Sequence, residues 1–135
     1  MQTGTIRTLI GLLILAGVVF VLHTRGMEQH LYWYFWWYDI MMHFLCGFCV
    51  GGVFAWITFR AKPDVSRRNL IIVILVAIAI IGVGWEIFEY LTDQYVGQAN
   101  IVVDTIKDLI NDTLGALTAA WLITTIGRRR TSEML

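Results

Sequence analysis

Four stretches of the chain are apolar almost all the way round, with no polar stripe to face water along most of their length. The first, Thr8 to Leu22, extends to Thr5 and Thr24 through small polar groups. The second runs from about Asp39 to Phe59, the third from Asn69 to Leu91, and the fourth from about Thr105 to Ile126. A helix of a soluble domain keeps one charged face, whereas a helix apolar all round is buried in a large core or in lipid. The third stretch is 23 residues long, and at 1.5 Å per residue it reaches roughly 34 Å, enough to cross a hydrocarbon core of about 30 Å with some tilt. The pattern predicts an all-α integral membrane bundle, one domain over 1–135, with four transmembrane helices at about 5–24, 39–59, 69–91 and 105–126. The first stretch follows Arg7 and has the length of a signal peptide. No small-x-small cleavage site follows it, because His23-Thr24-Arg25 comes next, so it reads as a retained helix.

Between the first two stretches, residues 27–38 include an unbroken run of seven aromatics, Tyr32 to Tyr38. Trp and Tyr favour the headgroup level of a bilayer, where the ring is half-buried and the polar tip stays wet. The segment is therefore expected to lie along one membrane face. Small residues mark two of the helices: Gly47-x-x-x-Gly51 with Gly52 in the second, and Gly115/Ala119 and Ala116/Ala120 in the fourth. Such faces let helices approach closely and would suit a homodimer.

Composition supports the same class. Apolar residues make up 58% and charged residues 15% of the chain, against roughly 45–50% and 25% in ordinary globular domains. The formal charge is zero, which excludes a nucleic-acid binder in any simple electrostatic sense. Two cysteines give no disulfide framework. Cys46 and Cys49 form a C-x-x-C on one helix face, where cysteine is more often a small hydrophobe than a redox centre. Eight of the ten Lys and Arg fall at one end of the four stretches (Arg7, Arg60, Lys62, Arg67, Arg68, Arg128, Arg129, Arg130), leaving Arg25 and Lys107 at the other. The positive-inside rule then places both termini in the cytoplasm.

The acids sort the opposite way. Glu28, Asp39, Glu86, Glu89, Asp93, Asp104, Asp108 and Asp112 all belong to the outer end, and only Asp64 and Glu133 to the inner one. Acidic residues contribute little to topology, so insertion does not require this clustering. Helical spacing turns the outer acids into stripes: Asp39 and His43 at i, i+4; Glu86, Glu89 and Asp93 at i, i+3, i+7; Asp104, Asp108 and Asp112 at i, i+4, i+8, with Asn111 beside them. In a bundle the polar stripes turn away from lipid and would meet in one outward-opening cavity.

Carboxylates crowded in this way cannot all ionise alone. Either several share protons, or cations neutralise them, or the acids serve separate structural roles. Carboxylates with one imidazole suit a divalent metal, Mg²⁺, Mn²⁺, Ca²⁺ or Zn²⁺, held between facing helices. The candidate ligands are Asp39, His43, Glu86, Glu89, Asp108 and Asp112. Of these, Glu86, Glu89 and Asp112 lie one to two turns inside apolar helices and are the candidate catalytic groups. Plainer roles suit the others: Asp104 as the N-cap of the fourth helix, Thr105-x-x-Asp108 as a capping box, Asp39 as a helix start, Asp93 as a solvated end. His23 and His30 read as interfacial, with His30 an outside candidate for the site.

The combination Asp39-x-x-x-His43-x-x-x-Gly47, Trp85-Glu86-x-x-Glu89 with Asp93, and Asp104-Thr105-x-x-Asp108-x-x-x-Asp112-x-x-Gly115-Ala116 resembles the YjdF-type family of small bacterial and archaeal membrane proteins. It is similar, more distantly, to VanZ-like proteins, which pair an Asp/His helix start with a Glu helix and an Asp…Asn…Gly-Ala helix. The chain looks like a reduced version of the YjdF type. The resemblance implies a bacterial or archaeal membrane protein with an acidic motif, and the positive-inside reading puts its acidic side extracytoplasmic. The association of VanZ-like proteins with lipoglycopeptide resistance points to envelope lipids or peptidoglycan precursors. The expected function is a metal-dependent hydrolase or transferase acting on a lipid or lipid-linked phosphate, with membrane lipids as partners. No Arg or Lys cluster awaits a phosphate and no Ser/His or Cys/His pair is evident, so the metal would supply the positive charge. The alternatives are a cation- or proton-coupled binding or transport protein, and a non-catalytic membrane scaffold.

Overall fold

A computed structural model describes residues 2–92 and 100–132, with side chains described from residue 6 through residue 125. Among the described residues there are five helices and no strand: α1 (Gln2–Glu28), α2 (Leu31–Tyr34), α3 (Trp36–Ala61), α4 (Arg67–Thr92) and α5 (Ile101–Ser132). An all-helical answer is what lipid demands, because each backbone N–H and C=O must find its partner within the segment. The four expected spans lie inside α1, α3, α4 and α5, and each helix runs on past the apolar stretch at both ends.

Among the described residues, three helices are long and apolar enough to cross a membrane: Ile6–Glu28, Trp36–Ala61 and Arg67–Thr92. The fourth expected span, α5, is not among them. Its first half carries Asp104, Lys107, Asp108 and Asp112, and that charge offsets the apolar residues which follow.

The breaks between helices have local causes. After α1 the chain reverses at His30, which takes a left-handed conformation (φ 57°), and Phe35 is extended between α2 and α3. The aromatic segment is therefore not one interfacial stretch over 27–38. Its start belongs to α1, one turn forms α2, and Trp36, Trp37 and Tyr38 open α3. Trp33 to Trp37 are exposed, as a headgroup-level position requires, but Tyr38 is buried and its hydroxyl donates to the Leu22 carbonyl (2.8 Å). Tyr38 turns inward because α1 packs over it: Val19 and Met42 complete that cluster. Pro63 follows the end of α3, and Ser66 Oγ accepts from Asn69 N–H (3.2 Å) to cap α4.

The most extensive helix contact is α3 with α5. Glycines make it possible. A Cβ on Gly47 would meet the Asp112 backbone, one on Gly51 the Ala116 backbone, and one on Gly115 the Phe44 carbonyl. The small-residue faces seen in the sequence are thus used within the chain, α3 against α5. Below this seam Ala55, Ala116 and Ala120 join Leu70, Ile74 and Ile78 of α4 in the main apolar cluster.

Candidate metal-binding site

His43 is the hub. It is 7% exposed, and it stands on α3 one turn above Gly47, where the close approach of α5 brings acid side chains to both ring nitrogens. Nε2 lies 3.6 Å from Asp39 Oδ1 and 3.8 Å from Asp108 Oδ2, while Nδ1 lies 3.5 Å from Asp112 Oδ1. All three separations exceed the roughly 2.7–3.2 Å of an N–H···O hydrogen bond. They resemble the distance between two ligands of one ion, since metal–N/O bonds of about 2.0–2.2 Å put tetrahedral neighbours roughly 3.3–3.6 Å apart.

Two donor sets meet on this ring. Asp39, His43 and Asp108 each offer an atom within 4.8 Å of the others, and so do His43, Glu86 and Glu89. Asp108 is 1% exposed. Its buried Oδ1 accepts no hydrogen bond among the described residues; the Lys107 ammonium stands 3.7 Å away. A carboxylate held out of water at such distances is costly unless a cation joins it. The donor set therefore fits a divalent ion, with oxygen ligands dominant and one imidazole.

Lys107 is the member that sequence reasoning left out. Its Nζ contacts Asp104 Oδ1 at 2.6 Å and Asp39 Oδ2 at 3.2 Å. Asp39 thus faces two ways, one oxygen to His43 and the other to Lys107. The i, i+3 spacing of Asp104 and Lys107 was a readable signal, but the link to Asp39 depends on α3 and α5 lying side by side.

Asp104 is accordingly not the N-cap. Asn100 takes that role, its Oδ1 accepting from Val102 N–H (3.1 Å) and Val103 N–H (3.3 Å). No capping box forms with Thr105, whose hydroxyl instead donates to Glu86 Oε2 across to α4 (2.7 Å). Glu86 is buried, and Glu89 Oε1 accepts from Trp85 Nε1 (2.9 Å). The expected ligands thus come near His43 in two sets that share only that ring, Asp39 with Asp108 and Glu86 with Glu89, with Asp112 at the opposite ring nitrogen from Asp39 and Asp108. Asp93 lies outside the described residues. Glu28 pairs with Arg25 at the surface (3.1 Å). His30 sits in the α1–α2 turn edge-on to Trp33.

A cavity of about 410 Å³ adjoins the hub, lined by α1, α3 and α4 with Tyr32 of α2 and Asp104 and Asp112 of α5. Asp39, His43 and Glu89 reach it; Ala16, Val50 and Ile78 line its apolar part. His23, expected at the interface, lines it too, with Nδ1 hydrogen-bonded to the Tyr32 hydroxyl (2.9 Å). Burial, then the nearby Tyr38 and Asp39, pushes the Tyr32 phenol up, so it stays a neutral hydroxyl. Cys46 and Cys49 also line the cavity, and both are free thiols.

No curated protein and no solved structure matches this chain, and a VanZ-like relationship is not shown. Three apolar helices suited to crossing a membrane agree with what the family comparison finds. Residues 4–129 match the model of the family described as "Predicted membrane protein (DUF2238)", with which the YjdF-type resemblance is consistent, and the chain belongs to that family.

Proposed function

We propose that this protein binds a divalent metal ion at His43 and uses it to hydrolyse or transfer a phosphate-type group of a lipid or lipid-linked substrate at the outer face of the membrane. The observation that carries the reading is the convergence of two donor sets on one buried imidazole, beside an Asp108 carboxylate that lacks a hydrogen bond at Oδ1. When bound, the metal would polarise a phosphoryl oxygen and ease deprotonation of water.

The chain's own groups take distinct parts. Asp39, His43 and Asp108 are one ligand set, and Glu86 and Glu89 form a second set with the same ring. Asp112, at Nδ1, holds the imidazole in the tautomer that presents Nε2, as carboxylates behind ligating histidines commonly do. Glu89 lines the cavity and is steadied by Trp85, which makes it the general base. Lys107 neutralises Asp39 and Asp104, so the site is less acidic than a count of carboxylates implies. The proposal includes α5 as a fourth span, with both termini cytoplasmic. Labelling Gln98→Cys, in a protein without Cys46 and Cys49, by an impermeant maleimide from outside tests that orientation.

The metal test uses purified full-length protein in detergent, stripped with chelator and returned to Mg²⁺, Mn²⁺, Ca²⁺ or Zn²⁺. One of them is expected to raise the melting temperature, by the equivalent of about 2.7 kcal/mol at a hundredfold excess over Kd. His43→Ala and Asp108→Asn should abolish that rise at unchanged helix content. Phosphate release from lipid-linked phosphates then follows the same metal. A folded wild type that neither retains nor responds to any of the four ions overturns the reading. Metal-dependent ion uptake into liposomes without phosphate release would assign the same residues to transport.

A further inference from the structure

We infer that the cavity beside His43 is a lateral berth for one hydrocarbon chain of a membrane lipid, entered between α1 and α4. This deepens the reading above by naming the substrate's tail, and takes from it only that the chemistry lies at the His43 end.

Three observations support it. The first is length. The lining runs from Ala16 to Met27 on α1, from Asp39 to Val50 on α3 and from Ile78 to Glu89 on α4. Each stretch advances 11 residues, which at 1.5 Å per residue is about 16 Å. Half of a hydrocarbon core of about 30 Å is nearly the same. The cavity is therefore as deep as one leaflet.

The second is its grading. Asp39, His43 and Glu89 stand at one end of those stretches, and Ala16, Val50 and Ile78 at the other. Water is a poor occupant of the apolar end, which offers it no hydrogen-bond partners. An empty space there forfeits the dispersion contacts of its walls. A lipid tail satisfies both requirements, and its polar end then meets the acid and imidazole groups.

The third is the way in. α1 packs on α3 and on α2, but among the described residues its backbone makes no close approach to α4. At the polar end a ring pair spans the two helices, His23 edge-on to Trp85 at 6.0 Å between centroids. Below it, the lining residues Phe20 of α1 and Ile81 of α4 are exposed to the surroundings. The opening thus faces the bilayer, where acyl chains are the most abundant partner.

The test reconstitutes the full chain in phosphatidylcholine vesicles containing a small fraction of phosphatidylcholine with a diazirine in mid-chain. After irradiation, mass spectrometry should find adducts concentrated on the cavity-lining Met42, Cys46 and Cys49, several-fold above the bilayer-facing Leu13, Val76 and Trp121. Ala16→Trp and, separately, Ile81→Trp fill the space and should lower the cavity adducts to the bilayer-facing level while helix content is retained. If one variant does not fold, the other carries the comparison. Uniform labelling, or adducts unchanged in a folded filled variant, would each overturn the inference. The same labelling on chelated protein and on His43→Ala separates the two readings. Cavity adducts that persist there sustain the berth even where no metal binds, and their absence in wild type refutes it whatever the metal result.

Discussion

The α3–α5 seam and the α1–α4 gap are built from the same kind of helix, yet one closes until backbones touch and the other leaves room for a ligand. Along the seam, Gly47, Gly51 and Gly115 remove the side chains that would hold the helices apart. At the gap no such small-residue seam joins α1 to α4, and Phe20, Ile81 and Trp85 line the space between them. Apolar sequence alone does not draw helices together in lipid, where tails are as apolar as leucine; shape and polar contacts decide which pairs close. The difference teaches that position of small residues, more than hydrophobicity, sorts the site-building contact from the space beside it.

The largest expected effect comes from opening the seam. Gly115→Val places a side chain against the Phe44 carbonyl and Phe48 N, and should cost about 3 kcal/mol, the upper range for overpacking. Denaturant unfolding in detergent would measure it, and metal stabilisation should vanish in the same variant. If Gly115→Val unfolds like the wild type, the seam is not what holds α5 in place.

A smaller effect is expected from the ion pairs that dress the top of the seam. Lys107→Met leaves Asp39 and Asp104 without their ammonium. Because Lys107 is partly exposed (31%), the loss should be about 2 kcal/mol, below the roughly 3–5 of a fully buried pair broken from one side. Adding Asp104→Asn should recover part of it, and a double-mutant cycle reads the coupling. Strictly additive losses would remove Lys107 from the cluster. The smallest effect belongs to the lipid face of α1. Leu13 is exposed, and Leu13→Ala should shift stability by less than about 0.5 kcal/mol; a loss as large as that at Gly115 would mean that α1 is covered and not lipid-facing.

Much of the site was readable because helical periodicity is local. Asp39 and His43, or Asp104, Asp108 and Asp112, share a face by spacing alone, and the structure brings both faces to one place. The parts that escaped depend on relations between helices. Lys107 looked like a stray base, since nothing in its neighbourhood announces the Asp39 oxygen 68 residues away. His23 and Tyr32 passed for interfacial groups because the lean of α1 over α3 is not encoded in either one's surroundings. Spacing alone favours Asp104 as the cap, because the residue that does cap α5, Asn100, lies before the apolar run begins.

By itself the amino-acid sequence determined a helical membrane protein with one end rich in acids. These follow from backbone satisfaction in lipid and from a repeat of 3.6 residues. Tertiary structure alone decided which acid faces which nitrogen of His43, that Lys107 joins them, and that a chain-wide space lies beside them. Those outcomes depend on ångström-scale approaches between distant helices, set where glycines remove side chains and where aromatic rings do not.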